Sequence, residues 1–200
     1  MFKKIRNRVE NQGFFSALNY FFFTVLLEKL GLEIILRFSR KLTGIETLPE
    51  YISLFHSEDE MPENILNGLV EACGERFTRT LNKKFSNRGV LAVGIVNNQA
   101  ASIAWLGRFE SSKCQSQSWL INGCLTMPKY RGLGLYPKSI EALCHKAYTM
   151  RQSPLPVEVL IESSFSNEAS IKGIIKSGFT RRGGVVLFRD KEIFNMTKRH

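Results

Sequence analysis

Cysteine is scarce in this chain and poorly spaced for chemistry. Its four cysteines, Cys73, Cys114, Cys124 and Cys144, form no C-x-x-C pair and have no histidine at ligand spacing. That pattern excludes a zinc finger or a dithiol redox site, so no metal is expected. The thiols are expected to be free in a reducing compartment, the cytoplasm. Proline is also rare, and no Pro- or Gly-rich linker or low-complexity tract divides the 200 residues. Long apolar runs are missing too. The best, Phe14 to Leu27, is interrupted by Ser16, Asn19, Tyr20 and Thr24 and stopped by Glu28-Lys29. It falls short of the roughly 20 apolar residues a membrane-spanning helix needs. No small-residue cleavage site follows it, as a signal peptide would require.

What is present is globular. The composition is 44% hydrophobic and 23% charged, with fifteen Phe, and the length suits one well-buried core. Acids are outnumbered, 18 against 28 Lys and Arg, for a net charge of +10. Half of that excess falls in residues 1–45, where eight basic groups face three acids. Such a balance favours anionic partners: phosphate-bearing small molecules, anionic lipid or nucleic acid. With no helix-turn-helix, zinc finger or aromatic strand platform in the sequence, nucleic acid is not expected.

Residues 1–44 read as an N-terminal amphipathic helical extension. Wound as a helix, Ser16, Tyr20, Thr24 and Glu28 make one narrow polar stripe. Phe15, Leu18, Phe22, Val25 and Leu26 lie on the other side. Two readings of this face stand open. Residues 1–38 dock on an anionic membrane surface, with Lys3, Lys4, Arg6 and Arg8 toward lipid phosphates, or the face packs on the domain's own sheet or in a homodimer contact.

From Ile45 to Phe85 the pattern reads as helical, with one clear helix from Pro62-Glu63 through Ile65, Leu69, Val70, Cys73, Phe77 and Leu81. Val90 to Val96 reads as a strand, Asn97-Asn98-Gln99 as a hairpin turn, and Ala100 to Phe109 as the return strand. Ser118 to Met127 reads as a third strand, Leu135 to Met150 as a helix and Val157 to Ile161 as a strand. Asn167 to Lys176 reads as a short helix, and Phe179 to Phe188 as a strand broken by Gly183-Gly184. The order predicts an α+β domain with a mixed sheet over residues 45–200.

The sharpest local feature is Leu120 to Tyr136, where a strand runs through Pro128-Lys129-Tyr130-Arg131-Gly132-Leu133-Gly134 into a helix. The first turn of a helix leaves backbone N–H groups unpaired, its dipole favours anions, and glycines let a phosphate approach the backbone. This segment resembles the pyrophosphate loop of the GNAT acyl-CoA N-acyltransferase superfamily, Q/R-x-x-G-x-G/A. Placing Arg131 first puts Gly134 fourth and Tyr136 where Gly or Ala is usual. Asn167-Glu168-Ala169-Ser170-Ile171, followed by Gly178-Phe179, resembles a second element of that family near the pantetheine arm.

The resemblance implies a GNAT-like, mainly antiparallel central sheet flanked by helices. It also implies a transferase that moves an acetyl or other acyl group from CoA to an amine or hydroxyl. The acceptor would be small or membrane-associated, for instance an amino sugar, with the protein cytoplasmic or peripheral on the inner face of a membrane. Acyl-CoA is the implied co-substrate. It would be held by Leu125, Thr126 and Met127 of the strand, by Arg131, Gly132, Leu133, Gly134, Leu135 and Tyr136 of the loop, and by Asn167 and Lys172. The catalytic side departs from the family. The position of the usual tyrosine acid is Ile174, and where a glutamate is usual stand Gln117 and Ser118. Glu162, at a strand end, is the candidate base, while His145 and His56 read as structural and surface residues. These departures keep an alternative open, a non-catalytic CoA-binding or interaction module on the same fold.

Overall fold

A computed structural model of the protein describes residues 27–44, 47–109, 118–152, 154, 156–189 and 191–196. The predicted apolar face of the N-terminal helix, within residues 1–26, lies outside these, as do Cys114 and Gln117. Among the described residues, no helix is long and apolar enough to cross a membrane.

After a single helical turn, Leu27–Lys29, the elements are β1 (Leu32–Leu42), β2 (Ile52–Phe55), α1 (Glu63–Cys73), α2 (Arg76–Ser86), β3 (Val90–Val96), β4 (Gln99–Phe109) and β5 (Ser118–Thr126). A 3-10 turn (Pro128–Tyr130) follows, then α3 (Leu135–Thr149), β6 (Val157–Ser164), α4 (Glu168–Lys176), β7 (Thr180–Phe188) and β8 (Lys191–Asn195). The fold is α+β, with a mainly antiparallel sheet flanked by helices.

The described residues gather into two compact units. The larger comprises Phe38–Glu162 and Lys172–Thr180; the smaller comprises the residues up to Arg37, Ser163–Ile171 and those from Arg181. In the larger unit β2, β3, β4 and β5 pair antiparallel in sequence order, and β6 joins β5 in parallel. The β3–β4 hairpin turns on Asn97-Asn98 as expected, both with positive φ (50° and 58°), the conformation a two-residue turn demands and asparagine tolerates. Period-two alternation on these strands feeds two faces. Leu91, Val93, Ile103 and Trp105 join Ile65, Leu69, Phe77 and Leu81 of α1 and α2 in one core. On α3, Ser139, Ile140, Leu143 and Ala147 are buried, and Ser139 Oγ lies 3.2 Å from Ser102 Oγ of β4. Each large apolar side chain so enclosed stabilises the fold by about 1.5–3 kcal/mol.

Three expectations are corrected. Leu32–Leu42 is a strand, not part of a helical extension. Leu36, Phe38 and Leu42 are buried while Glu33 and Lys41 are exposed, so the apolar period here is two. Ile52–Phe55 is likewise a strand, paired from Ile52↔Gly94 to Phe55↔Leu91; four residues are too few to show a period. The single helix over 63–81 is two. Gly74, at φ 80°, ends α1 by donating its N–H to the Val70 carbonyl at 2.7 Å, and α2 starts afresh at Arg76.

In the smaller unit β7 and β8 form an antiparallel hairpin. The Gly183-Gly184 break does not interrupt β7. A Cβ on Gly184 would stand 2.7 Å from the Ile35 carbonyl oxygen, so the glycine admits β1's backbone rather than ending the strand.

Gly89, between α2 and β3, offers a test of packing in the larger unit. Its N–H donates to the Lys84 carbonyl at 2.8 Å, and a Cβ there would meet the same oxygen at 2.7 Å. Both partners are backbone, so nothing flexible can give way. Gly89→Ala should cost about 1–3 kcal/mol and lower the melting temperature by several degrees in a thermal scan. An unchanged melting temperature would contradict this packing.

Candidate functional site

The site is built on β5, which changes character midway. Ser118–Ile121 pairs in parallel with Glu158–Ile161 of β6, and there the pairing stops. On its other side β5 stays paired with β4 to Thr126, through one irregularity: Trp105 faces Asn122 and Ile103 faces Leu125. Gly123 and Cys124 thus share the place opposite Ala104, a β-bulge, and Gly123 takes φ 59°. A Cβ on Gly123 would stand 3.0 Å from Trp105 Cδ1, a second reason for glycine there. From Asn122 to Thr126 one side of the strand therefore carries backbone N–H and C=O groups that β6 does not pair.

The strand runs directly into the glycine turn. Met127 N–H closes on the Ala101 carbonyl at 2.9 Å, Pro128–Tyr130 makes a 3-10 turn, and Gly132 (φ 89°) and Gly134 (φ 71°) reverse the chain into α3. Gly134 is the N-cap and has no side chain to satisfy the first-turn amides. Pro137, third in the helix, has no N–H to leave unpaired. Among the described residues the backbone N–H groups of Gly132, Leu133 and Gly134 make no hydrogen bond, and all three residues are exposed. Exposed Arg131 sets a guanidinium beside this cradle, its Nε donating to the Thr126 carbonyl at 3.4 Å. The arrangement suits a polyanion.

The other sequence-derived candidates divide. Thr126 is partly exposed and Leu125 exposed, flanking the unpaired backbone. Met127 and Leu135 send their side chains into the core, at 6% and 4% exposure, so only their backbone faces the cradle. Lys172 is exposed on α4. Asn167 belongs to the smaller unit, where its Oδ1 accepts the Ser170 N–H at 3.1 Å as the cap of α4. Glu162 is exposed at the first β6 position beyond the β5 pairing. His145 is partly buried on α3. His56 is an exposed loop residue whose backbone N–H and ring both approach Glu60 Oε2. Those contacts, the backbone hydrogen bond first, hold the Glu60 carboxyl below its usual range.

Two features escape sequence reasoning. Tyr136, in the first turn of α3, lays its ring where Gly173 of α4 has no side chain; a Cβ there would come 2.5 Å from Tyr136 Cδ1. Its hydroxyl comes within hydrogen-bonding reach of the Cys124 thiol. Ile174, the next residue, is wholly buried. Cys124 keeps some exposure as a residue, but burial around its sulfur dominates. That burial pushes the thiol up to about 12, with the Lys84 ammonium and the Tyr136 hydroxyl pulling back only partly, so it is no nucleophile at neutral pH. The second feature is Lys84 of α2. Its Nζ donates to Asn122 Oδ1 at 2.5 Å and stands 4.9 Å from the centre of the Trp105 ring. Desolvation lowers its pKa. Both groupings join segments some 40 residues apart, a distance no local pattern spans.

Comparison with solved structures gives a consistent answer. A GNAT-family acetyltransferase from Colwellia psychrerythraea superposes with a TM-score of 0.57 at 16% identity, over 91% of this chain and 62% of that one. A GNAT-family protein from Novosphingobium aromaticivorans gives 0.53 at 14%, over 78% and 62%. A GCN5-related N-acetyltransferase from Sphaerobacter thermophilus gives 0.52 at 16%, over 88% and 56%. The chain has the GNAT fold. It spans less than two thirds of the length of each of these relatives. No protein-family model matches it, and no curated protein sequence does. The GNAT resemblance read from Arg131–Tyr136 and Asn167–Phe179 therefore holds at the level of fold.

Within this GNAT fold the Tyr136–Gly173 contact can be measured by a double-mutant cycle. Alanine is worth about 1 kcal/mol over glycine inside a helix, yet Gly173→Ala should destabilise the protein because the new methyl meets the ring. In a Tyr136→Ala background the same change should become neutral or stabilising. Equal effects of Gly173→Ala in both backgrounds, in chemical denaturation, would show that ring and helix are not in contact.

Proposed function

We propose that this protein is an acyl-CoA-dependent acyltransferase, moving an acetyl or other acyl group onto an amine or hydroxyl of a small acceptor. One observation carries the reading: β5 parts from β6 after Ile121, bulges at Gly123–Cys124 and ends in the positive-φ glycine turn that opens α3. The GNAT fold supports it.

Acyl-CoA, when bound, supplies an activated thioester whose carbonyl carbon an acceptor attacks and whose sulfur leaves as a thiolate. The chain's residues fit such a molecule. The side of Asn122–Thr126 that β6 does not pair offers amide donors and acceptors to an extended polar arm, as a missing neighbour strand would. The exposed amides of Gly132–Gly134, with the guanidinium of Arg131, receive phosphate oxygens at the start of α3. Backbone N–H groups at the bulge hold negative charge that develops on a carbonyl oxygen. Holding the reactants in line supplies much of the rate on this fold, before any proton moves.

Tyr136 is the proton source we assign. Its hydroxyl lies within hydrogen-bonding reach of a sulfur, that of Cys124, beside the bulge. Its ring rests on Gly173, one residue before buried Ile174, so the phenol takes up the task that the sequence of α4 leaves vacant. A phenol that protonates a leaving thiolate recovers its proton from solvent.

Two outcomes are expected. Gly134→Val forces a branched side chain onto a φ of 71° and into the phosphate path. It should weaken acetyl-CoA binding at least tenfold, about 1.4 kcal/mol, by isothermal titration, with the fold retained by circular dichroism. Unchanged affinity in the folded variant would end the assignment. Tyr136→Phe should lower kcat at least tenfold while the KM for acyl-CoA moves little, and should remove the alkaline limb of the kcat–pH profile. A profile unaltered in shape would take the acid role from Tyr136. Tight acetyl-CoA binding with no thioester loss for any amine or hydroxyl offered would favour the non-catalytic CoA-binding module.

A further inference from the structure

We propose that the recess beside Lys84 is the acceptor site and that it takes an acceptor carrying a phosphate or carboxylate group; this rests on the acyltransferase reading. The recess, about 610 Å³, lies in the larger unit between the C-terminal end of α2 with its following turn, the middle of β4, and Asn122 of β5. That is room for a molecule the size of a sugar phosphate.

Its walls are cationic. Lys84, Arg88 and Arg108 line it with the amides of Asn87 and Asn122, and no carboxylate is among its described lining residues. Lys84 is the anchor. It is half-buried, and its one hydrogen bond among the described residues goes to a neutral amide, Asn122 Oδ1 at 2.5 Å. Its other close neighbour is the Trp105 ring, 4.9 Å from Nζ to centroid. An ammonium has three donors, so two remain for a ligand. Taking such a charge partly out of water without a counter-ion is costly. An arriving anion supplies that counter-ion. Arg88 and Arg108, both exposed, add charge at the rim that raises the encounter rate of an anionic molecule.

The recess also borders the reacting strand. A Cβ on Gly123 would stand 3.3 Å from Lys84 Nζ, so the ammonium sits directly beside the bulge, and the glycine leaves the way between them open. An acceptor held by its anion at Lys84 would extend its nucleophile along Asn122 and Gly123 toward the stretch assigned to the thioester. Another recess along β4, about 450 Å³, carries Glu71 as well as Lys129 among its described lining residues and lacks this bias.

The test uses the full chain and the indole N–H resonances of its two tryptophans in ¹H–¹⁵N spectra, assigned with Trp119→Phe. Inorganic phosphate should shift the Trp105 indole saturably at millimolar concentration. O-phosphoethanolamine should do so and ethanolamine should not, and acetate should do so more weakly than phosphate. Lys84→Met, which keeps the apolar stem, should weaken the phosphate response at least tenfold. Asn122→Asp, which gives Lys84 a carboxylate of its own, should do the same, while Lys84→Arg should restore most of it. Gly134→Val should leave it unchanged, and saturating CoA should not displace it. No Trp105 shift, or an equal affinity in Lys84→Met and Asn122→Asp, would overturn the proposal. Loss of the shift on adding CoA, or in Gly134→Val, would assign the anion to the nucleotide end of CoA and overturn it as well. If acetyl-CoA does not bind but Trp105 still responds through Lys84, the anion site stands and the acyl-transfer reading alone falls.

Discussion

The parting of two parallel strands governs this protein. β5 and β6 share four residue pairs and then separate after Ile121, while β5 stays bonded to β4 on its other side. Backbone groups left without a strand partner this way demand other partners, from side chains such as Arg131 at the Thr126 carbonyl, from water or from a ligand. The bulge at Gly123–Cys124 sharpens the effect by turning two residues against one, with Gly123 in the left-handed region. What surrounds the split supports it. Packing of α1 and α2 on one face and α3 on the other fixes β3, β4 and β5 firmly enough for the free stretch to remain extended.

The glycine turn belongs to the same construction. With Gly134 as N-cap and Pro137 in the first turn, α3 begins without a side chain to quench its amides. Natural helices commonly begin at Ser, Thr, Asp or Asn, whose oxygen satisfies those donors. A helix that forgoes this cap yet continues for 15 residues has stability to spare from burial of Ile140, Leu143 and Ala147. Packing thus compensates for a terminus left without a side-chain cap.

Around the split, chemistry is assembled from distant parts of the chain. Tyr136 occupies the space Gly173 leaves, close to Cys124, and Lys84 reaches from α2 to Asn122 and Trp105. Burial holds the Cys124 thiol protonated at neutral pH. It stands beside the bulge within reach of the Tyr136 hydroxyl and the Lys84 ammonium. The cations of Lys84, Arg88 and Arg108 give the other side of the site its sign.

The sequence by itself determined the α+β class, the β3–β4 hairpin on Asn97-Asn98, the strand–turn–helix at Arg131–Tyr136 and the cap at Asn167. These features are local: each is written in a few adjacent residues whose backbone preferences suffice. It misread Leu32–Leu42 and Ile52–Phe55 as helical: the first reads as a continuation of the amphipathic stretch before it, and the second is too short to show the period that strand pairing enforces. It ran α1 into α2 because the apolar stripe continues through Gly74 and hides the positive φ there. Only tertiary structure decided where β5 leaves β6, that Met127 and Leu135 turn inward, and that Tyr136 and Lys84 converge on the bulge. Those facts depend on register and on contacts across roughly 40 residues, and such contacts are set by how helices and sheet fill a common volume, not by any neighbouring residue.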